Sequence, residues 1–152
     1  MILAALIGVL AGCTAPTAGV DLPVSALRAE AASELAPPGA VVLRTVQAEP
    51  FNNITGHEAA FYGHLFGLPS AAADIHAFYD RELAKLGWRV TRGPGLSTIE
   101  TAGWAWCKPK LVFRLGILDP RGYGRIPLSG AEQYQSVIDA RLQGVDEGCP
   151  SG

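Results

Sequence analysis

A chain of 152 residues that is 49% hydrophobic and 17% charged is no disordered or low-complexity polymer. It fits one globular domain burying about two thirds of its unfolded surface. A net charge of −2 gives no basic field for a polyphosphate, which excludes nucleic acid as the expected partner.

The first element is "MILAALIGVLAGC". Its apolar run from Ile2 to Ala11 spans about 15 Å as helix, half a bilayer core, so it reads as a signal segment and not a membrane span. Leu10-Ala11-Gly12-Cys13 resembles the bacterial lipobox. That resemblance implies cleavage before Cys13, a diacylglyceryl group on its thiol, and an extracytoplasmic protein held to the membrane by lipid. A buried N-terminal strand with an incidental cysteine is the alternative. The expected organisation is a signal peptide at 1–12, a lipidated tether at 13–23, and one domain at 24–150 with its main body at about 37–150.

Three cysteines are present. With Cys13 assigned to lipid, Cys107 and Cys149 remain as a disulfide pair suited to that compartment. Closing about 43 residues of chain contributes roughly 4 kcal/mol in the chain-entropy account. Two buried thiols, or a two-cysteine metal site, are the competing uses.

After the tether, "VSALRAEAASELAPPG" sets Leu27, Ala31 and Leu35 at helical spacing. Ser25 stands as cap, and Pro37-Pro38-Gly39 as the stop. "AVVLRTVQA", Ala40 to Ala48, is β-branched and predicts a strand, and "EPFNNITG" a loop. Its Asn53-Ile54-Thr55 sequon is read as accidental in a bacterial lipoprotein. "EAAFYGHLFGL" predicts a second strand, with Phe61 and Leu65 on one face and Tyr62 and Phe66 on the other. Such a strand is either covered on both sides or has an exposed aromatic face.

The main helix is expected over about 70–86, with Ser70 as cap and Ile75, Phe78, Tyr79, Leu83 and Leu86 in one stripe. Gly87 is its left-handed end, and Trp88 folds back on Leu83. "WRVTR" leaves it as a strand, and "GPGLS" at 93–97 is a turn. Further strands follow, with a turn at Lys108-Pro109-Lys110 and a stop at Asp119-Pro120. Residues 131–143 are ambiguous. Ser129 and Glu132 mimic a helix capping box, whereas the alternation of Tyr134, Ser136, Ile138, Ala140 and Leu142 favours a strand. The sum is an α+β fold, an antiparallel sheet with one main helix on one face and a short N-terminal helix.

Few residues offer chemistry. Glu82 falls inside the apolar stripe, so its carboxylate needs a partner or a raised pKa. A structural pairing with an arginine or with backbone N–H groups of the strand beneath is the plain reading, and a general acid or base the functional one. His57, Glu58, His64 and His76 match no compact zinc spacing, and His76 with Asp80 reads as a solvated pair. No nucleophile elbow or phosphate loop occurs, so no cofactor is expected and catalysis is not the leading reading. Trp104, Trp106 and Tyr62 are core or sheet-face residues, or else an aromatic patch for a partner.

"FYDRELAKLGWRV" and "WAWCKPKLVFRLGILDP" together resemble uncharacterised small lipoproteins of G+C-rich bacteria, which commonly carry an F-Y-x-x-E-L-x-x-x-G-W helix followed by strands. The resemblance covers about half of the chain. It implies an α+β envelope domain and carries over no activity. The expected function is therefore a lipid-anchored, non-enzymatic binding or interaction module, recognising an envelope protein or glycan. The alternative is a small-ligand or hydrolytic domain with a cleft near Glu82 and the histidines.

Overall fold

The computed structural model describes residues 21–54, 56–91, 100–118 and 128–145. The expectations for Cys13, Thr55, 93–97, Asp119-Pro120 and Cys149 fall outside those residues. The described chain is mostly antiparallel sheet with one long and one short α-helix, an α+β fold in which the sheet dominates.

The short helix α1, Val24–Ala29, is followed by a 3-10 turn at Ala31–Glu34. The single helix expected across this stretch is interrupted because Glu30 is extended (φ −70°, ψ 132°). There the Glu30 carboxylate is held by Lys108, Nζ to Oε1 2.8 Å, a tertiary ion pair that outweighs local helix preference. The predicted stripe fails accordingly. Val24, Leu27, Ala32 and Ser33 are buried, while Ala31 is exposed. Pro23, not Ser25, precedes the first turn.

Strand β1, Val41–Ala48, leads to a hairpin where a loop was expected, β2 (Phe51–Asn53) with β3 (Gly56–Glu58), a separate two-stranded sheet. Then come β4 (Phe61–Leu68), α2 (Ala72–Lys85), β5 (Arg89–Thr91), β6 (Glu100–Lys108), β7 (Leu111–Leu118), a 3-10 turn at Ala131–Gln133, and β8 (Ser136–Gly144). The main sheet runs β1-β4-β8-β7-β6-β5, antiparallel at every pairing. The strand reading of 131–143 holds from Ser136 onward, and the capping-box residues lead only into a 3-10 turn.

Helix α2 starts at Ala72. Ala71 stands at the cap with no side-chain hydrogen bond, so the expected Ser70 cap is not used. Instead the Ser70 carbonyl accepts from Ser136 Oγ at 2.8 Å, fixing the start of β8. The C-terminus follows expectation. Gly87 has φ +80°, where a Cβ would be strained, and the Trp88 N–H reaches the Leu83 carbonyl at 3.0 Å. Of the stripe, Ile75, Tyr79 and Leu83 are fully buried, each contributing about 1.5–3 kcal/mol, with Phe78 and Leu86 at the margin.

Those three share one apolar cluster with Tyr62, Phe66, Trp106, Phe113, Leu115, Ile138 and Leu142. The Tyr79 and Phe113 rings lie 5.3 Å apart. Leu65, Leu118 and Val137, of the opposite strand parity, form a smaller cluster with Ala131 of the 3-10 turn. Strand β4 is buried along nearly its whole length, which settles its two-sided apolar pattern in favour of cover on both sides.

Candidate functional site

Among the described residues, a polar arrangement lies where β1 meets β4. Register places Thr45 opposite His64 and Gln47 opposite Tyr62. With a side-chain period of two, Tyr62, His64 and Phe66 project on one side. The imidazole thus sits between two rings, at centroid distances of 5.3 Å and 5.4 Å. It is a buried histidine in an apolar row, its side chain 8% exposed.

Its polar partners come from either end. Nδ1 lies 3.1 Å from the Thr45 hydroxyl. Nε2 lies 3.5 Å from Glu34 Oε2, within ion-pair reach but without hydrogen-bond alignment. Glu34 Oε1 accepts from the Tyr62 hydroxyl at 3.0 Å. The Arg28 guanidinium stands 5.1 Å from the Tyr62 ring centroid and donates to Gln47 Oε1 at 2.8 Å. Burial, reinforced by the bond to Glu34, pushes the Tyr62 phenol above its ordinary value of 10.0. The chain Thr45–His64–Glu34 joins a hydroxyl, an imidazole and a carboxylate in the order that moves a proton off a hydroxyl. Thr45 is exposed on the edge strand of the sheet.

A second group forms on α2 and β6. His76 stacks on Trp104 at 4.4 Å and 16°, with Nε2 3.3 Å from Asp80 Oδ2. Asp80 Oδ1 also accepts from Trp106 Nε1 at 2.8 Å. The His76–Asp80 pair is therefore built into the packing, not merely solvated. A third group, Asp139 and Arg141, lies on the opposite sheet parity. Arg141 Nε donates to Asp139 Oδ1 at 2.9 Å, and its guanidinium stands 5.2 Å from the Phe61 ring.

The residues singled out from sequence distribute unevenly. Trp106 and Tyr62 are 1% and 5% exposed, so neither presents a surface aromatic patch. Trp104 alone of the three is only half-buried. Glu82 pairs with its own helix and not with a strand beneath. Lys85 Nζ bonds both carboxylate oxygens at 3.0 Å and 2.8 Å, and Arg81 Nε bonds Oε1 at 2.8 Å. Lys85 first and Arg81 second hold the carboxyl below its usual range. Glu82 lies seven residues after Ile75, beside the half-buried Phe78 and Leu86 and off the deeply buried line, which leaves room for both cations.

His57 is tied to Asp21 at 2.7 Å and to Asn52 at 3.0 Å. Among the described residues, no three His, Cys, Asp or Glu side chains stand together to hold a metal. No described helix is long and apolar enough to cross a membrane. Cys107 is buried near the end of β6.

Sequence reasoning missed Glu34, Thr45 and Asp139. For His64 the signal was present, since the two-residue period already put it in line with Tyr62 and Phe66. Glu34 and Thr45 carried none, being separated from His64 by 30 and 19 positions. Compared with protein-family models, curated proteins and solved structures, the chain finds no match.

Proposed function

We propose that this chain is a lipid-anchored cell-envelope lipoprotein, held at the membrane surface through Cys13, whose molecular work is binding and not catalysis. The long helix lies across the sheet face that carries Tyr62, Phe113 and Trp106, and the Cys107–Cys149 disulfide locks the far end of that sheet. The anchor is supported by Leu10-Ala11-Gly12-Cys13 behind its apolar run. The bridge is supported by Cys107, buried near the end of β6. It is supported too by the course of β8, whose exit brings the Val145 N–H to the Lys110 carbonyl at 3.0 Å, beside the β6–β7 turn. The helix placement is supported by the Tyr79–Phe113 contact and the Trp106–Asp80 bond.

One observation carries the preference for binding. Glu82, the carboxylate singled out as the alternative general acid or base, is engaged by two cations of its own helix, Lys85 and Arg81. The surface offered instead is the half-buried Trp104 with its stacked His76, a flat aromatic platform for an envelope protein or glycan. Thr45–His64–Glu34 favours a second reading, a small-ligand or hydrolytic site, relocated from Glu82 to His64.

The test has two parts. Intact mass of the membrane-fraction protein, before and after reduction and beside Cys13→Ser, is expected to show a chain starting at Cys13 with diacylglyceryl mass. It is also expected to gain two hydrogens on reduction. An unprocessed chain with three thiols refutes the anchor and the bridge. Separately, ester hydrolysis that vanishes in both Thr45→Val and His64→Gln favours the second reading over the first.

A further inference from the structure

The β2–β3 hairpin is the part of the fold that serves no core. It forms its own two-stranded sheet, with Phe51 opposite Glu58 and Asn53 opposite Gly56. Such a ribbon is marginal in water by itself. It nevertheless carries two of the five exposed large apolar side chains among the described residues, Ile54 at 104% and Phe51 at 45%. From Pro50 to Gly56 the sequence holds no charged residue. An uncharged turn with a fully exposed isoleucine at its tip stands at odds with a surface that faces only water.

Its position is the second observation. His57 Nε2 is bound to Asp21 Oδ1 at 2.7 Å, and Glu49 Oε2, just before the hairpin, accepts from the Val24 N–H at 3.1 Å. The hairpin and the beginning of the described chain are therefore fastened together. Asp21 is eight residues from Cys13. Eight residues reach at most about 29 Å however they are arranged. A lipid on Cys13 thus keeps Asp21, and with it His57, within that distance of the bilayer surface. The exposed valines at Val41 and Val42 sit at the other end of β1, and Val90 on the opposite edge strand, so neither shares this patch.

We propose that the tip of the β2–β3 hairpin, Ile54 with Phe51, dips into the headgroup–acyl boundary of the membrane and fixes the orientation of the domain above it. The inference rests on the Cys13 anchor proposed above. Diacylation alone gives lasting attachment, so the hairpin's contribution is a defined attitude of the sheet relative to the lipid surface. Asn52 and Asn53 lie at the level where polar headgroups supply hydrogen-bond partners, and the flanking Glu49 and Glu58 remain in water.

The test uses the full-length, membrane-derived chain in vesicles of phosphatidylcholine and phosphatidylglycerol, with a photo-crosslinking residue at position 54 or, as control, at position 90. Both sites are exposed, so folding is not at stake. After illumination, intact mass is expected to show phospholipid adducts at 54 about tenfold above those at 90. The same spectra report the Cys13 modification. A lipidated chain with equal adducts at the two sites overturns the hairpin contact while the anchor stands. A lipidated chain crosslinked at 54 mainly to a second copy or to another protein overturns it in favour of a protein interface. A chain without diacylglyceryl mass overturns both.

Discussion

Gly63 lies between Tyr62 and His64 in β4, and its missing side chain decides how closely β4 approaches β8. A Cβ there would meet the Ala140 carbonyl oxygen and stand 2.6 Å from Arg141 Cα. Both are backbone atoms of a central strand, so no rotamer relieves the clash, and Gly63→Ala must prise apart the β4–β8 ladder. Overpacking a core costs about 1–3 kcal/mol and occasionally more, and a backbone-limited overlap belongs at the top of that range, about 3 kcal/mol. With a urea slope of about 1.5 kcal/mol per M, the midpoint falls by about 2 M. Two further glycines calibrate the effect. At Gly67 the Cβ meets the Tyr134 ring, with Cε2 at 2.5 Å. That side chain is only half-buried and swings away, for about 1–2 kcal/mol. At Gly144 the nearest atoms are Leu22 Cβ at 3.8 Å and Ala59 Cβ at 3.9 Å. Alanine there is neutral or gains up to about 1 kcal/mol from lost unfolded-state entropy. Urea unfolding of the three variants is expected to rank Gly63 far below Gly67, and Gly67 below Gly144. A Gly63→Ala midpoint within error of Gly144→Ala would refute the close approach of β4 to β8.

Two pH effects are expected. Tyr79 is pushed well up by burial, and Tyr62 is raised by burial and then by Glu34, from the ordinary 10.0. The folded state therefore holds these protons more tightly than the unfolded one. Their contribution is complete below about pH 10 and is lost as pH rises beyond it. Urea midpoints between about pH 8 and pH 11 should fall less steeply in Tyr79→Phe, which also forfeits the 3.0 Å bond to the Leu35 carbonyl for about 1 kcal/mol. An unchanged alkaline slope would count against the buried phenol. Glu82 works in the other sense. Its lowered carboxyl stabilises above the ordinary 4.5, and the benefit is lost as pH falls through the depressed value. Glu82→Gln should leave thermal stability near neutrality almost unchanged and flatten the acid limb, and a large loss at neutral pH would contradict the helix-surface pairing with Lys85 and Arg81.

Where sequence periodicity was backed by an end signal, the fold was legible. The α2 stripe and its Gly87-Trp88 ending, the β-branched run of β1, and the alternation in β8 all appear as read. Local reading failed where a distant partner overrode it. Lys108 holds Glu30 in extended backbone and ends α1 early, and Ser136 takes the Ser70 carbonyl while the Ser70 side chain leaves the cap unused. The candidate site was the least legible part, because Glu34, Thr45 and His64 meet only through strand register and the 3-10 turn. No spacing in a linear sequence encodes that meeting. Glu82 illustrates the reverse, a residue conspicuous by position whose partners sat one and three places away.

The strand order has a consequence for the sequence of events in which such a chain can fold. Strand β8 sits between β4 and β7, so it joins the β1–β4 pair to the β5–β6–β7 strands. Leu65 pairs with Asp139 and Phe113 with Leu142. Without Ser136–Gly144 the earlier strands of the main sheet form two pieces with no shared edge, and the apolar cluster lacks Ile138, Ala140 and Leu142. Closing a contact across more than seventy residues is slow compared with local pairing. A chain with this topology cannot close its main sheet before β8 is in place. The strand that completes the sheet thereby also works as a timer, postponing the closed sheet until Ser136–Gly144 has been made.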